Sequence, residues 1–191
     1  MRIIAGAYKG FRLQSFSGKE IRPTSDKIRE AIFDIIGSKI VGAEFLDLFA
    51  GTGAMGIEAI SRGAKEVTFV EIDRKAIDII KLNLNKIYQN TYSNILRNDY
   101  LQAIKLLSLN QKIFDIIFID PPYNKKYLSK ALQEIDKSTI IKKESLIIVQ
   151  HPIQTEVKED FTNIFCCKEK KYGSSKITIF SNNKYILRRF I

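Results

Sequence analysis

The sequence predicts an open three-layer α/β sheet, and three observations carry that expectation. An apolar run, Phe45-Leu-Asp-Leu-Phe49, meets glycines at 51, 53 and 56 and passes at once into a helical pattern with Ile57 and Ile60 on one side, which reads as strand, tight turn and helix. Further apolar strand runs alternate with helical spacing until five strands are counted. Two last apolar runs, near 164–168 and 177–180, are joined through Lys170, Lys171, Tyr172 and Gly173 and suit a closing hairpin.

Taken in order, residues 1–40 are expected to extend a main domain spanning 41–191. From 2 to 16, short apolar runs split by Lys9-Gly10 read as a hairpin with basic residues at its tip and edge. Arg22-Pro23 follows, then Thr24 as an N-cap, Asp26 in the first turn, and a helix with Ile28, Ala31, Ile32, Ile35 and Ile36 along one face, ended by Gly37. Lys27 and Arg29 fall on the opposite side of this helix, free to face a ligand or the solvent. After the central turn, Glu66-Val-Thr-Phe-Val70 forms a second strand ending at Glu71, and Asp73 caps a helix carrying Ile77, Ile80, Leu84 and Ile87. A short third strand around Ile95-Leu96 leads to Asn98-Asp99-Tyr100, where Asp99 in isolation reads as another N-cap. Phe114-Asp-Ile-Ile-Phe-Ile119 is the fourth strand, helical residues run to about 136, and Ser145-Leu-Ile-Ile-Val149 is the fifth strand. His151, the only histidine, has no Cys, His or carboxylate cluster near it in sequence and reads as structural. Residues 184–191 are basic and apolar and receive no assignment.

Glycines suit the central turn because a side chain would stop the backbone from turning and approaching a ligand, while the helix start offers unpaired N–H donors. Gly51, Gly53 and Gly56 fit the dinucleotide fingerprint G-x-G-x-x-G, and Glu71 lies 20 residues beyond the first glycine, where a ribose-binding acid is expected. A nicotinamide enzyme is therefore one reading. Two features oppose it. Asp47 sits inside the strand before the turn, which suits a ligand carrying an amino group and a sulfonium, such as S-adenosylmethionine (SAM), better than a pyrophosphate. The sequence Asp120-Pro121-Pro122-Tyr123, directly after the fourth strand, is the stronger feature.

With these residues the chain resembles the class I SAM-dependent methyltransferases that modify exocyclic amino groups. The stretches Arg22-Pro-Thr-Ser-Asp-Lys-Ile-Arg-Glu-Ala-Ile-Phe33 and Lys171-Tyr-Gly-Ser-Ser-Lys-Ile-Thr-Ile-Phe180 narrow the resemblance to the RsmD-type methyltransferases of bacterial small-subunit (16S) ribosomal RNA. The resemblance implies a seven-stranded mixed sheet of order 3-2-1-4-5-7-6 with strand seven antiparallel, an N-terminal hairpin and helix on the RNA side, and methyl transfer to N2 of a guanine. It implies cofactor contacts at Asp47, Phe49, Gly51, Thr52, Gly53, Glu71, Ile72, Asp99 and Tyr100. Glu71 would accept from ribose hydroxyls and Asp99 from the adenine amino group, with Ile72 and Tyr100 flanking the ring.

In the second motif, two prolines stiffen the exit from the strand. An exocyclic amine has its lone pair delocalised into the base, so the site must hold it in line with the methyl group through acceptors that take an N–H hydrogen bond. Asp120 and the Pro121 carbonyl are those acceptors, Asp120 also serves as a proton acceptor, and Tyr123 stacks on the base. Arg22, Lys27, Arg29, Lys125, Lys126 and Lys171 are the expected RNA contacts. No metal is expected, because the sulfonium is already an activated leaving group.

Composition agrees with one main domain handling a polyanion. The chain has 191 residues, 45% hydrophobic, enough for one well-buried core. Of the formal charge of +10, residues 1–40 contribute +4 and residues 164–191 contribute +6, so the middle is neutral. Basic ends around a neutral centre suggest ribosomal RNA, free or within a small subunit, bound with an affinity that falls as salt rises. A general lysine-rich bias is the plainer explanation of the same charge. The two cysteines, Cys166 and Cys167, are adjacent, point to opposite faces of a strand and read as packing residues. No apolar run approaches a membrane span and the apolar stretch at the start is too short for a secretory signal, so a cytoplasmic protein is expected, and a monomer is expected beside it. Three other readings stay open: an adenine-N6 methyltransferase acting on RNA or DNA, a nicotinamide dehydrogenase, and a non-catalytic RNA-binding protein of the same fold.

Overall fold

The computed structural model describes residues 1–16, 25–87, 92–122, 125–157 and 160–183. These fall into two compact units that divide between Asp99 and Tyr100. The first holds α1 (Asp26–Ile36), a 3-10 turn (Gly37–Ile40), β1 (Glu44–Asp47), α2 (Ala54–Ser61), β2 (Glu66–Glu71), α3 (Arg74–Leu84) and β3 (Tyr92–Arg97). The second holds α4 (Tyr100–Leu109), β4 (Phe114–Ile119), α5 (Lys125–Lys137), β5 (Ile141–Pro152), β6 (Phe165–Tyr172) and β7 (Ser175–Ser181). The strands form a seven-stranded sheet of order β3-β2-β1-β4-β5-β7-β6. The pairs β1–β2, β2–β3 and β4–β5 are parallel, whereas β7 runs antiparallel to both β5 and β6. This is the α/β class and the strand order that the resemblance implied. Among the described residues, no helix is long and apolar enough to cross a membrane.

In the first unit, Phe45, Leu46, Val67, Phe69 and Val70 are all buried, as near-continuous apolar strands with both faces covered require. The buried stripe of α1 is Arg29, Ile32, Phe33 and Ile36, an i, i+3, i+4, i+7 set. That corrects the placement of Arg29. It lies fully inside rather than beside Lys27 on the outer face, because a buried acid on α2, Glu58, awaits it, with Arg29 Nε 3.6 Å from Glu58 Oε2. Its Nη2 donates to Asp26 Oδ1 at 3.0 Å and to the Arg2 carbonyl. Burial lowers the pKa of this guanidinium, while Glu58 and Asp26 pull it back up. The cap is corrected as well: Ser25 caps α1, its Oγ accepting from the Ile28 N–H at 3.3 Å, and Thr24 lies outside the described residues.

The expected N-terminal hairpin is present but short: Arg2 and Arg12 form an antiparallel bridge, flanked by the Leu13 N–H on the Met1 carbonyl at 3.1 Å, the Ile3 N–H on the Phe11 carbonyl at 3.0 Å and the Gly10 N–H on the Ile3 carbonyl at 2.9 Å. Residues 4–8 do not pair across a ladder because α2 takes their hydrogen bonds. Glu58 accepts from the Ile4 and Ala5 N–H groups at 2.8 and 3.0 Å. Ser61 Oγ donates to the Ala5 carbonyl at 2.6 Å and accepts from the Tyr8 N–H at 3.0 Å.

In the second unit, β5 begins at Ile141, ahead of the expected start at Ser145. Its polar Lys142-Lys143-Glu144 stretch hides the strand, and the pairing shifts there from Phe114↔Ile141 to Ile116↔Leu146. Cys166 is exposed, which corrects its reading as a packing residue. The register slips between Cys166 and Lys168 on the edge strand β6, so the regular alternation fails at that point.

His151 ties β5 to β7. Its Nε2 lies 2.8 Å from Thr178 Oγ1 and its Nδ1 3.0 Å from the Pro152 carbonyl. Burial pushes its pKa below the usual 6.5, helped by Lys176 and opposed by the Pro152 carbonyl and Glu169. The unfolded chain therefore binds this proton more readily than the folded one, so the contribution of His151 is intact above about pH 6.5 and is lost as the pH falls below it. Thermal unfolding of the wild type should drop more steeply between pH 7 and pH 5 than that of His151→Gln. Parallel curves would show that His151 carries no such linkage.

Candidate functional site

The site of the first unit is built on the turn between β1 and α2. Gly51 and Gly53 hold φ of +53° and +78°, the left-handed region that glycine occupies without strain. The Gly53 N–H closes the turn on the Ala50 carbonyl at 2.8 Å. A Cβ at Gly51 would meet nothing within 4 Å, so the turn presents an open outer side. Gly56 answers a different need: a Cβ there would stand 2.2 Å from Phe69 Cε1, and its absence lets α2 lie on β2.

Because glycine is the N-cap of α2, the helix has no capping side chain of its own. Asp47, buried at the end of β1, supplies the acceptor instead, with Oδ2 3.1 Å from the Gly56 N–H. Its negative charge lies where the helix dipole favours one. Glu71, the last residue of β2, performs the matching task for the turn itself. Its Oε2 accepts from the Gly51 N–H at 2.8 Å, and its Oε1 accepts from the Ile72 and Asp73 N–H groups at 2.7 and 2.9 Å. One lone pair of Oε2 remains available to a ligand hydroxyl within this set.

The neighbouring residues complete this edge. The Asn98 N–H donates to the Glu71 carbonyl at 3.2 Å, which brings the half-buried Asp99 to the same end of the strands. Ile72 is 63% exposed, a large apolar side chain presented beside Glu71. Phe49 is half-buried and Thr52 buried. Asp73 caps α3 through the Ala76 N–H at 2.8 Å, as its position suggested. The first unit therefore offers acceptors for hydroxyl and amino groups, an open glycine turn and a helix start on one strand edge.

Two buried polar residues here were absent from the sequence-derived set, Glu58 and Asn83. Asn83 is fully buried on α3, three positions after Ile80, and its amide binds both Gln14 and Thr52. A polar residue standing within an apolar stripe was the available signal.

In the second unit, Tyr100 opens α4 and is buried, its ring 5.7 Å from that of Tyr127 in an edge-on arrangement. Asp120 and Pro121 are half-buried and Pro122 is exposed, directly after β4. Lys125 and Lys126 belong to the first turn of α5, and Lys126 is exposed. Lys171 is exposed on β6, as Lys27 is on α1. Arg29, being buried and paired, is corrected as an RNA contact. Arg22 and Tyr123 lie outside the described residues. Among the described residues no group of three or more His, Cys, Asp or Glu could hold a metal ion.

Comparison with known proteins matches residues 1–181 to the family described as conserved hypothetical protein 95. The ribosomal RNA small subunit methyltransferase D of Haemophilus influenzae is 32% identical over 187 residues, covering 95% of this chain and 94% of that protein. The protein of the same name from Escherichia coli K12 is 30% identical over 173 residues, covering 91% and 85%. The solved structure of the Escherichia coli protein yhhF matches with a TM-score of 0.83 at 27% identity, covering 96% of this chain and 98% of that one.

The close approach at Gly56 makes a direct prediction. Gly56→Ala should lower stability by about 1–3 kcal/mol through overpacking, and Phe69→Leu in the same chain should recover part of the loss. Additive losses in thermal unfolding would mean that the two residues do not compete for the same space.

Proposed function

The chain belongs to the family described as conserved hypothetical protein 95, the RsmD-type methyltransferases, and from that premise we propose that it transfers a methyl group from SAM to the exocyclic N2 of a guanine in small-subunit ribosomal RNA. The observation that carries the cofactor half of this reading is the Gly51 turn, open on its outer side and strapped to the end of β2 by Glu71. Its acceptors fit the ligand: carboxylates suit ribose hydroxyls and an adenine amino group, and an acidic edge suits the positive charge of an ammonium and a sulfonium. A nicotinamide enzyme finds less support, since β7 is antiparallel and β1 carries the buried Asp47. What supports RNA as substrate is the name borne by the Haemophilus and Escherichia relatives together with the basic ends of the chain.

SAM supplies a methyl group on a sulfonium, a leaving group that needs no further activation. In this reading Glu71 accepts from the ribose hydroxyls, Asp99 accepts from the adenine amine, and Ile72 with Tyr100 flanks the adenine ring. Asp47 holds the start of α2 and keeps the edge electronegative. Asp120 and the Pro121 carbonyl accept the N–H bonds of the target amine, which turns its lone pair toward the methyl group, and Asp120 takes up the proton as charge builds. Pro122 stiffens this segment and Tyr123 stacks on the base. Lys27, Lys126 and Lys171, with Arg22 and Lys125, meet RNA phosphates. The protein works as a monomer in the cytoplasm, on free RNA or on an assembling subunit.

Purified small subunits lacking the modification, incubated with methyl-labelled SAM and digested to nucleosides, should yield label in N2-methylguanosine. Label in N6-methyladenosine would move the substrate to adenine, and SAM binding without label on particles, naked RNA or DNA would favour the binding-protein reading. Asp120→Ala should abolish transfer and leave SAM affinity within about tenfold, because lost orientation acts on the chemistry. Loss of both together in a folded variant would refute that division of labour.

A further inference from the structure

We propose that Asn83 is a positioning residue that couples the cofactor turn to the N-terminal segment, so that filling the turn tightens residues 8–16. The inference rests on the cofactor reading of the Gly51 turn. Asn83 Oδ1 accepts from the Gln14 N–H at 2.7 Å, and Nδ2 donates to the Gln14 carbonyl at 3.0 Å and to the Thr52 carbonyl at 3.1 Å. The amide thus pairs with both backbone groups of Gln14 and spends its remaining donor between Gly51 and Gly53. The side chain is fully buried and its bond to Thr52 is made away from competing water, while its two bonds to the exposed Gln14 are part-buried.

Only a carboxamide meets this demand. It offers two donors and one acceptor in one plane, whereas an ionised aspartate would turn a second oxygen toward two carbonyl oxygens and a leucine would leave all the backbone partners unpaired. The side-chain pattern is not helix capping, since the last turn of α3 is closed by the Asn85 N–H on the Lys81 and Asn83 carbonyls. The bonds serve two backbone segments far apart in sequence.

The N-terminal segment is also held at its other end. Glu58 and Ser61 on α2 bind residues 4–8, and at Gly6 a Cβ would stand 1.8 Å from the Ser61 carbonyl, so the chain lies directly on the helix. Between the two anchors, Lys9, Phe11 and Arg12 are exposed, two cations and an aromatic ring of the kind that meets RNA backbone and bases. A segment anchored on the helix and on the turn cannot shift without moving the Thr52 carbonyl. By linkage, the factor by which filling the turn changes RNA affinity at this segment is the factor by which RNA bound there changes cofactor affinity.

The test uses S-adenosylhomocysteine (SAH) as ligand and amide hydrogen exchange of the full chain as readout. In the wild type, SAH should slow exchange in residues 8–16 at least fivefold more than in the β6–β7 hairpin. In Asn83→Leu and Asn83→Asp that excess should vanish while SAH still binds. Phe33→Leu, a core change of comparable stability cost, should keep it. SAH that binds the wild type without the excess slowing would overturn the coupling and leave the proposed function standing, as would an excess that survives both Asn83 changes. SAH that fails to bind the wild type would overturn the cofactor reading and the coupling with it.

Discussion

The first unit depends on backbone N–H groups being satisfied by carboxylates that arrive from the strands. A turn that must expose a bare outer side cannot also carry capping side chains, and here the N-cap of α2 is a glycine. The donors still need partners, and Asp47 from β1 and Glu71 from β2 provide them at 3.1 and 2.8 Å. Rigidity and openness, which compete in a loop, are thereby assigned to different segments. The same two acids leave the edge electronegative before any ligand arrives, so no side chain has to reorganise to receive a cationic one.

A second constraint lies on the far side of α2. Burying Arg29 and Glu58 together costs desolvation of both, and their mutual attraction alone rarely repays it. The pair is retained with further bonds: Glu58 also meets Arg62 Nε at 2.8 Å and two backbone N–H groups, and Arg29 meets the Arg2 carbonyl. Backbone atoms of residues 2–5 are thus the partners that complete the pair. The N-terminal segment and the buried charges specify one another, which explains why so short a hairpin holds its place.

The fold was legible where burial and polarity coincide. Strands β1, β2 and β4 are legible as nearly unbroken apolar runs and helix α3 through the spacing of Ile77, Ile80, Leu84 and Ile87. Strand order was legible through resemblance alone, since periodicity carries no information about neighbours. Arg29 was misplaced because a charge was read as exposed, although Arg29, Ile32, Phe33 and Ile36 make a better i, i+3, i+4, i+7 stripe than the one chosen. What hid it was its partner, Glu58, buried in a helix that looked merely apolar. Asn83 escaped for the same reason: its meaning lies in Gln14 and Thr52, far from it in sequence. Asp47 and Glu71 were legible as acids near a glycine turn, but their bonds to that turn's own N–H groups were not.

The choice of base needs more than the acceptors of the Asp120 segment. Guanine N2 and adenine N6 are both amines with a lone pair delocalised into a ring, and a carboxylate with a carbonyl beside it serves either equally well. The bases differ at N1, where guanine donates a proton and adenine accepts one. A site that hydrogen-bonds a substrate group discriminates strongly against an analogue lacking it, because its own polar atom is then left unpaired. Specificity for guanine therefore calls for an additional acceptor facing N1, or for an RNA surface whose fold presents one base and withholds the other. The basic charge of this chain lies at its two ends rather than in its neutral middle, a distribution suited to reading RNA shape and phosphate position. Under the proposed function, the structured RNA would select which nucleotide enters and the Asp-Pro-Pro-Tyr segment would orient whichever amine it delivers.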